Sequence, residues 1–211
     1  HPGFGFLSEN SEFVRRCNEY GITFIGPTAE VIDSMGNKSH ARKTMMEADV
    51  PVVPGTKEPV YDAETGERLA NEIGYPDMIK ASSGGGGKGM RVSRSQDDFE
   101  FNFNMAQRES ANAFGDDTMY IEKFIENPRH VEIQIMADGH GNVVALGERD
   151  CSIQRNHQKL IEESPSPAIT EEIRRSMNHD AILAAKAVNY TNAGTIEFIL
   201  DPKGTYYFME M

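Results

Sequence analysis

A run of small residues in the first half of the chain limits the possible folds more than any other feature. The apolar stretch Tyr75 to Ile79 leads into Lys80, glycines 84–87 follow, and Lys88 comes just before the strand-like segment Met90 to Val92. Glycine has no Cβ and adopts positive φ freely, so such a loop can bring its backbone N–H groups close to an anion. Holding the run still costs much conformational entropy. We therefore predict a β-hairpin flap that orders over a phosphate chain.

Two other interpretations of the glycine run fit less well. Runs of glycine and serine are often flexible linkers, but here two lysines bracket the run and strand-like residues flank it directly. A Walker loop requires a lysine followed by serine or threonine, whereas Lys88 is followed by Gly89. The run therefore differs from a P-loop, because it offers no hydroxyl group there to hold a metal ion.

The composition excludes several classes of protein. Among 211 residues, 33 are acidic and 21 are basic, which gives a net charge of −12, and so acidic a chain lacks the basic footprint typical of nucleic-acid binding. No apolar run approaches the roughly 20 residues that a membrane span needs. Cys17 and Cys151 are isolated rather than paired in a C-x-x-C motif, which is typical of reduced thiols. We expect a cytoplasmic protein that binds neither nucleic acid nor a membrane.

Strands alternate with helices along the chain, which predicts an α/β fold of layered helices and sheets. Apolar periodicity and capping residues predict helices over 11–20, 28–36, 38–48 and 67–73, and two longer helices that begin near 95 and 170. Alternating patterns predict strands over 22–25, 75–79, 90–92, 119–125, 130–136, 143–148, 195–200 and 206–211. Residues from about Val53 to Ile125 are expected to form a smaller unit, which ends at the hinge-like sequence Glu126-Asn127-Pro128.

Two glutamates interrupt the apolar strands of the last predicted hairpin, Glu197 in the first strand and Glu210 in the second. A single glutamate of this kind would most simply face water. Two that pair across a hairpin would place like charges side by side, which is unfavourable unless a cation bridges them. Carboxylates are good ligands for a hard divalent cation. The pair is therefore a candidate metal site.

The hairpin loop decides whether the two glutamates meet. They pair if the loop has two residues, Lys203-Gly204, or four residues, 202–205. A three-residue loop, Pro202-Lys203-Gly204, would place Gly204 in the left-handed region and would set Glu197 against Met209 instead. Turn chemistry favours the three-residue loop. We nevertheless predict the even-numbered loop, because a shared cation would offset the repulsion of two facing carboxylates.

Other charged residues allow more than one interpretation from their chemistry alone. Lys159 ends a polar run that starts at Gln154, and such a run is equally typical of a solvated loop. Lys38 and Lys80 lie on separate segments, where phosphate binding and simple surface exposure both fit. His130 begins a strand, and a lone histidine is more often a structural group than a ligand or base. The residues by themselves leave these alternatives open.

Several longer motifs are distinctive when taken together. They are His1-Pro2-Gly3-Phe4-Gly5-Phe6-Leu7-Ser8-Glu9-Asn10, Lys80-Ala81-Ser82 with its glycine run, Glu122-Lys123, Asn127-Pro128-Arg129-His130-Val131-Glu132-Ile133-Gln134, and Glu148-Arg149-Asp150-Cys151-Ser152-Ile153-Gln154-Arg155-Asn156-His157-Gln158-Lys159. Over its whole length the chain resembles biotin carboxylase, an ATP-grasp enzyme. The resemblance implies that 1–36 is the end of an N-terminal, Rossmann-like domain and that 37–211 is an ATP-grasp domain. Residues from about 53 to 124 would be its glycine-flap lid.

The resemblance also implies roles for individual residues. Lys38, Lys80, Gly86 and Gly87 would hold the ATP phosphates, and Glu122, Lys123, Phe124 and Ile125 would meet the adenine, largely through backbone groups. His130, Gln154 and His157 would line the nucleotide pocket. Glu197 and Glu210 would bind Mg²⁺ or Mn²⁺. Lys159 would position bicarbonate near biotin.

The chemistry implied by the resemblance is ATP-dependent carboxylation of biotin. ATP would convert bicarbonate to carboxyphosphate, and biotin on a biotin carboxyl carrier protein would accept the carboxyl group. The segment Glu162-Glu163-Ser164-Pro165-Ser166-Pro167 resembles the bacterial acetyl-CoA carboxylase branch, which serves fatty acid synthesis. Carboxyltransferase subunits and a second copy of the parent chain are the other implied partners. The alternatives are another ATP-grasp ligase, such as a carbamoyl-phosphate synthetase half, and a non-catalytic nucleotide-binding module.

Two observations qualify what the resemblance implies. The chain starts at His1 and stops at Met211 inside a strand pattern, so we expect a piece of a longer protein, cut before the family's last catalytic segment. Such a piece is expected to bind nucleotide without carboxylating biotin. Phe4 stands where many family members have tyrosine, and Asp77 occupies a strand position that is usually apolar. We expect Asp77 to cost stability unless its side of the strand is exposed.

Overall fold

The computed structural model describes residues 1–211 apart from 4, 6, 37, 83–88 and 156–157, and describes only the backbone of Lys38 and Ser39. Its contacts divide the chain into two compact units. The first unit comprises residues 1–52 and 127–211, and the second unit comprises residues 53–126. Across the described ranges, no helix combines the length and the apolar character needed to cross a bilayer.

The described residues form helices and strands in the following order: α1 (Ser11–Glu19), α2 (Ala29–Gly36), α3 (Lys38–Glu47), α4 (Ala63–Ile73), β1 (Asp77–Ala81), β2 (Met90–Ser93), α5 (Gln96–Phe114), β3 (Met119–Lys123), β4 (Arg129–Ala137), β5 (Val143–Arg155), β6 (Gln158–Glu163), α6 (Glu171–Ala187), β7 (Asn192–Leu200) and β8 (Tyr206–Glu210). The expectation of a mixed helix and sheet fold is confirmed.

The first unit is built on a five-stranded antiparallel sheet with strand order β6-β5-β4-β7-β8. Helix α6 lies against it, because alternate apolar residues of β4 and β7 face the apolar stripe of the helix. That helix begins as predicted, since the Thr170 hydroxyl accepts a hydrogen bond from the Ile173 N–H at 3.2 Å. Residues buried in this core include Val131, Ile133, Ile135, Met177, Ala181, Ile196 and Phe198.

The second unit is a three-stranded antiparallel sheet of order β2-β1-β3, and helices α4 and α5 pack on it. Helix α5 starts at a capping box formed by Ser95 and Asp98 and stops at Gly115, whose φ is 69°. Strands β1 and β2 pair from Asp77↔Ser93 to Lys80↔Met90, so the segment between them connects two antiparallel strands, as the flap prediction requires. The glycines predicted to cover phosphate, Gly86 and Gly87, lie outside the described residues.

One prediction of secondary structure is wrong. Residues 22–25 form no strand, and the Ile22 N–H instead bonds to the Cys17 carbonyl at 2.8 Å, which extends the C-terminal turn of α1. Their apolar pattern misleads because Ile22 and Ile25 are exposed. For the polar run before Lys159 the sequence left two interpretations open, one of them a solvated loop. In the structure β5 continues to Arg155 and Lys159 lies on β6.

The β7–β8 hairpin combines both of the alternatives weighed from the sequence. Leu200 pairs with Tyr206, and the Asp201 N–H bonds to the Thr205 carbonyl at 2.8 Å, so the loop has three residues. Gly204 has a φ of 89°, as that loop requires. The predicted even-numbered loop is therefore wrong, because local turn chemistry decides the turn. A register shift further along adds one residue to β8, and the predicted pairing of Glu197 with Glu210 is confirmed.

Candidate functional site

Four charged residues lie side by side across the sheet of the first unit. Glu210 on β8 pairs with Glu197 on β7, Glu197 pairs with Glu132 on β4, and Glu132 pairs with Arg149 on β5. We call these four residues the charge row. Paired positions on antiparallel strands lie on one face of the sheet, where like charges directly opposite each other are unfavourable. Three neighbouring carboxylates therefore need cations between or beside them.

Lys159 supplies one of these cations. It lies on β6 opposite Gln154, and its ammonium group donates to both Glu132 and Glu197, at 2.5 Å to Glu197 Oε1. Burial by itself lowers the pKa of Lys159, but the hydrogen bonds from its ammonium to the two carboxylates outweigh burial and raise it. The ammonium thus remains charged while bridging two carboxylates of the charge row.

The Glu197 carboxylate has a second partner in His130. The His130 Nε2 atom lies 2.7 Å from Glu197 Oε2. Burial by itself raises the pKa of Glu197, but the hydrogen bonds from His130 and Lys159 bring it down to about 2. Glu197 is therefore fully ionised at neutral pH, as a ligand for a cation must be.

Gln154 fixes which nitrogen of His130 carries the proton. Its amide nitrogen donates to the Cys151 carbonyl at 2.8 Å and lies 2.7 Å from His130 Nδ1. Because a carbonyl only accepts, the Cys151 contact orients the amide with its nitrogen towards the imidazole. His130 Nδ1 is then the acceptor, and Nε2 carries the hydrogen that is donated to Glu197.

Arg149 completes the charge row at its β5 end. Its guanidinium donates to Glu132 Oε1 and, at 3.0 Å, to Gln134 Oε1. Glu132, Gln134 and Arg149 were not among the site residues predicted from the sequence. The available signal was the alternation of polar side chains at 130, 132 and 134 with buried valine and isoleucine, since it places three polar groups on one sheet face.

The second unit holds a separate set of predicted ligands. The Lys80 ammonium pairs with the Glu122 carboxylate, and the Lys123 ammonium donates to the carbonyls of Gly74 and Tyr75. The backbone N–H groups of Lys123 and Phe124 bond to Pro54 and Pro76 at 2.8 Å and 2.9 Å. Ile125 follows directly after β3.

The structure thus brings together four residues that the resemblance assigned to the site, namely His130, Gln154, Lys159 and Glu197, and places Glu210 beside Glu197. Within the second unit it pairs Lys80 with Glu122. For Lys38 it gives only a backbone position at the start of α3, and His157, Gly86 and Gly87 lie outside the described residues.

The donors at Glu197 and Glu210 fit a hard divalent cation. Both offer carboxylate oxygens, the ligands that Mg²⁺ prefers, and Glu197 is held ionised. Each carboxylate oxygen has two lone pairs, so Glu197 can accept from Lys159 and His130 and still ligate a cation. A second group, Glu132, Cys151 and Glu162, also brings its ligand atoms together. It suits a cation poorly, because burial raises the pKa of the Cys151 thiol to about 12 and Glu132 already binds Lys159 and Arg149.

Comparison with known proteins identifies the family to which the chain belongs. Residues 37–211 match the model of the family described as carbamoyl-phosphate synthase L chain, ATP binding domain, and residues 1–32 match the biotin carboxylase N-terminal domain. Biotin carboxylase 1 of Bacillus subtilis is 56% identical over 212 residues, which cover 100% of this chain and 47% of that protein. The chain therefore spans about half the length of this relative.

Solved structures of biotin carboxylases resemble this chain over nearly its whole length. Biotin carboxylase from Campylobacter jejuni, in a β-γ-ATP complex, has a TM-score of 0.84 and 51% identity, covering 99% of this chain and 47% of that one. The biotin carboxylase domain dimer of Hydrogenobacter thermophilus 2-oxoglutarate carboxylase, with MgADP, ADP and bicarbonate, has a TM-score of 0.82 and 50% identity, covering 100% and 47%. The chain belongs to the ATP-grasp family of the carbamoyl-phosphate synthase L chain ATP-binding domain, and within it to the biotin carboxylases.

Proposed function

We propose that the parent protein is a carbon–nitrogen ligase that uses ATP and bicarbonate to carboxylate biotin on a biotin carboxyl carrier protein. The observation that carries this proposal is the position of Lys159 between Glu132 and Glu197. An ammonium group has three N–H donors, and two of them serve these carboxylates. The third donor is suited to an anion as small as bicarbonate.

The charge row supplies the electrostatics that such a reaction needs. Negative charge accumulates on phosphoryl oxygens while bicarbonate is activated, and preorganised cations stabilise that charge. Glu197 and Glu210 would hold Mg²⁺ or Mn²⁺, which when bound neutralises phosphate charge. Lys159 would orient bicarbonate, and His130 would keep Glu197 in place through Nε2. Biotin would approach the activated carboxyl group from the carrier protein.

The nucleotide ligands that we propose are those named by the family resemblance. We propose that Lys38, Lys80, Gly86 and Gly87 bind its phosphates, that the segment 122–125 meets the adenine, and that His130, Gln154 and His157 line its pocket. The ion pair between Lys80 and Glu122 supports this, because it orients a lysine at the end of the strand that precedes the flap. The ATP complex of the Campylobacter jejuni relative is consistent with the same role.

We further propose that the parent serves acetyl-CoA carboxylase in fatty acid synthesis, as a cytoplasmic homodimer that works with carboxyltransferase subunits. The segment Glu162 to Pro167 supports the acetyl-CoA branch by resemblance. The Hydrogenobacter thermophilus relative is a domain dimer, which supports the homodimer. Because that relative belongs to a 2-oxoglutarate carboxylase, assays should compare acetyl-CoA with 2-oxoglutarate as the final acceptor.

The decisive experiment uses the full-length parent and its Lys159→Gln variant. We expect wild-type ATP hydrolysis to depend on bicarbonate and biotin, and labelled bicarbonate to appear in carboxybiotin. Lys159→Gln should abolish carboxylation while nucleotide binding persists, because Lys159 is assigned to bicarbonate. Lys203→Gln, at an exposed turn lysine, is the matched control and should be fully active. Carboxylation by Lys159→Gln, or an equally steep loss of nucleotide affinity, would show that the assignment is wrong.

A further inference from the structure

Arg149 holds the β5 end of the charge row through Glu132, the carboxylate that it shares with Lys159. Its guanidinium donates a hydrogen bond to one oxygen of Glu132, Oε1, and the Lys159 ammonium donates to the other, Oε2. The Glu132 side chain is only 4% exposed, and that of Arg149 is 30% exposed. A carboxylate this deeply buried needs both of its cationic partners, since solvent compensates little of its charge.

The position of Lys159 depends on how this charge is shared. Lys159 lies between two carboxylates, Glu132 and Glu197. Lys159 contacts both carboxylates, and Arg149 holds the other oxygen of Glu132, so Arg149 fixes the direction in which the Glu132 carboxylate faces Lys159. Without Arg149, Lys159 would be the single remaining cation on Glu132 among the described contacts. The released carboxylate would then turn, and the Lys159 ammonium would shift with it away from Glu197.

We infer that Arg149 is a positioning residue, which keeps Lys159 between Glu132 and Glu197 and thereby sets where bicarbonate binds. The inference rests on the proposed function, because it gives Lys159 the bicarbonate role. It also assigns Gln134 a part. The Gln134 amide nitrogen donates to the Gly194 carbonyl at 2.8 Å, and its oxygen accepts from Arg149 at 3.0 Å. The guanidinium is thus held from three strands: β4, β7 through Gln134, and β6 through the Glu162 carboxylate at 3.6 Å.

A second buried ion pair on β5 provides a matched control. Arg174 binds Glu148, with side chains 25% and 2% exposed, so its burial resembles that of Arg149 and Glu132. Glu148 neighbours Arg149 in sequence, and successive strand residues point to opposite faces, so this pair joins β5 to α6 rather than to the charge row. Among the described contacts, Arg174 reaches Glu148 and Glu171. It therefore tests what loss of a buried arginine does to the fold alone.

The test compares Arg149→Met, Arg149→Lys and Arg174→Met in the full-length parent. Each variant is assayed for the KM for bicarbonate, the affinity for nucleotide and thermal unfolding. Arg149→Met should raise the KM for bicarbonate by about tenfold or more, since misplacing a reacting group by 1 Å can cost about 100-fold. Nucleotide affinity should change by less than about threefold, because Arg149 acts through Lys159.

The other two variants separate positioning from folding. Arg149→Lys keeps the charge but not the forked geometry, so the KM for bicarbonate should rise by about threefold. Arg174→Met should lower the unfolding temperature as much as Arg149→Met does, and should leave the KM for bicarbonate within about twofold of wild type.

Several results would overturn the inference. One is a wild-type KM for bicarbonate in folded Arg149→Met. Another is a parallel loss of bicarbonate and nucleotide affinity in both arginine-to-methionine variants. If Arg149→Met does not fold, Arg149→Lys decides, and a wild-type KM there refutes the role. Failure of the proposed function gives a different result, because the wild-type parent would then show no hydrolysis that depends on bicarbonate and biotin.

Discussion

Removing the buried charge of Asp77 should stabilise the second unit. Asp77 lies on β1 and is 0% exposed, and neither carboxylate oxygen has a hydrogen-bond partner among the described residues. Its neighbours on the flanking strands are Ser93 and Lys123. The Lys123 ammonium donates to backbone carbonyls instead. Burial raises the pKa of Asp77 to about 6, although the charge of Lys123 opposes this shift.

The size of the effect follows from the pKa shift. The pKa of Asp77 rises from 3.8 to about 6. This shift means that the ionised carboxylate lowers the free energy of unfolding by about 3 kcal/mol. The folded state binds this proton more tightly than the unfolded state does. The destabilisation by Asp77 is therefore full at pH values above the pKa of its carboxyl group in the folded state. It decreases as the pH falls from about 6 towards the ordinary pKa of 3.8. At pH 5 roughly half of it should remain.

The assay is urea unfolding of wild type, Asp77→Asn and Asp77→Val between about pH 4.5 and 8. Amide hydrogen exchange of β1 identifies unfolding of the second unit. The free energy of unfolding of Asp77→Val should exceed that of wild type by about 3 kcal/mol at pH 8 and by roughly half as much at pH 5. Asp62→Asn, which keeps a good N-cap on α4, is the control and should show no such pH-dependent gain. A stability difference between wild type and Asp77→Asn that does not vary with pH would refute the reasoning.

Three further substitutions test other parts of the structure. Glu197→Gln should weaken Mn²⁺ binding to the nucleotide-loaded parent by about tenfold or more, measured by calorimetry, and an unchanged affinity would remove Glu197 from the metal site. Gly204→Ala should lower the free energy of unfolding in urea by about 1–2 kcal/mol, because Gly204 has a φ of 89°. An unchanged free energy of unfolding would mean that the turn adapts to alanine. Thr170→Ala should cost about 1 kcal/mol by removing the N-cap of α6, whereas Thr170→Ser should retain most of that stability.

Sequence reasoning succeeded where local chemistry determines the structure. The start of α6 at Thr170, the start of α5 after Ser95 and the pairing of the strands around the flap follow from caps, periodicity and turns, which involve residues close in sequence. The strand expected at 22–25 failed because a strand also needs a neighbour to pair with, and apolar residues alone do not provide one. Asp77 was expected to cost stability unless its side of the strand is exposed; the structure buries it, and the cost itself stays a prediction.

The charge row was harder to predict because it depends on register between distant strands. Glu132 faces Glu197 and Arg149 only because β4 lies between β5 and β7, and no local pattern specifies that order. The family resemblance named Lys159, Glu197 and His130 as site residues, but it did not name Glu132 or Arg149. Arg149 and Glu132 became visible once the strands were aligned, since their contribution is a shared hydrogen-bonded charge rather than a motif.

The β7–β8 hairpin shows how local and long-range requirements are reconciled. Turn chemistry favours the three-residue loop, and an undisturbed ladder from that loop would set Glu197 against Met209. The register shift between Glu197 and Phe198 inserts one residue and brings Glu210 opposite Glu197. Bulges disrupt ladder hydrogen bonds, and they are common beside active sites, where they redirect side chains. The bulge also sets the Glu210 carboxylate beside Glu197, whose charge is already partnered by Lys159 and His130. A cation bound by both carboxylates would be a further gain from this register, and the Glu197→Gln experiment tests that explanation.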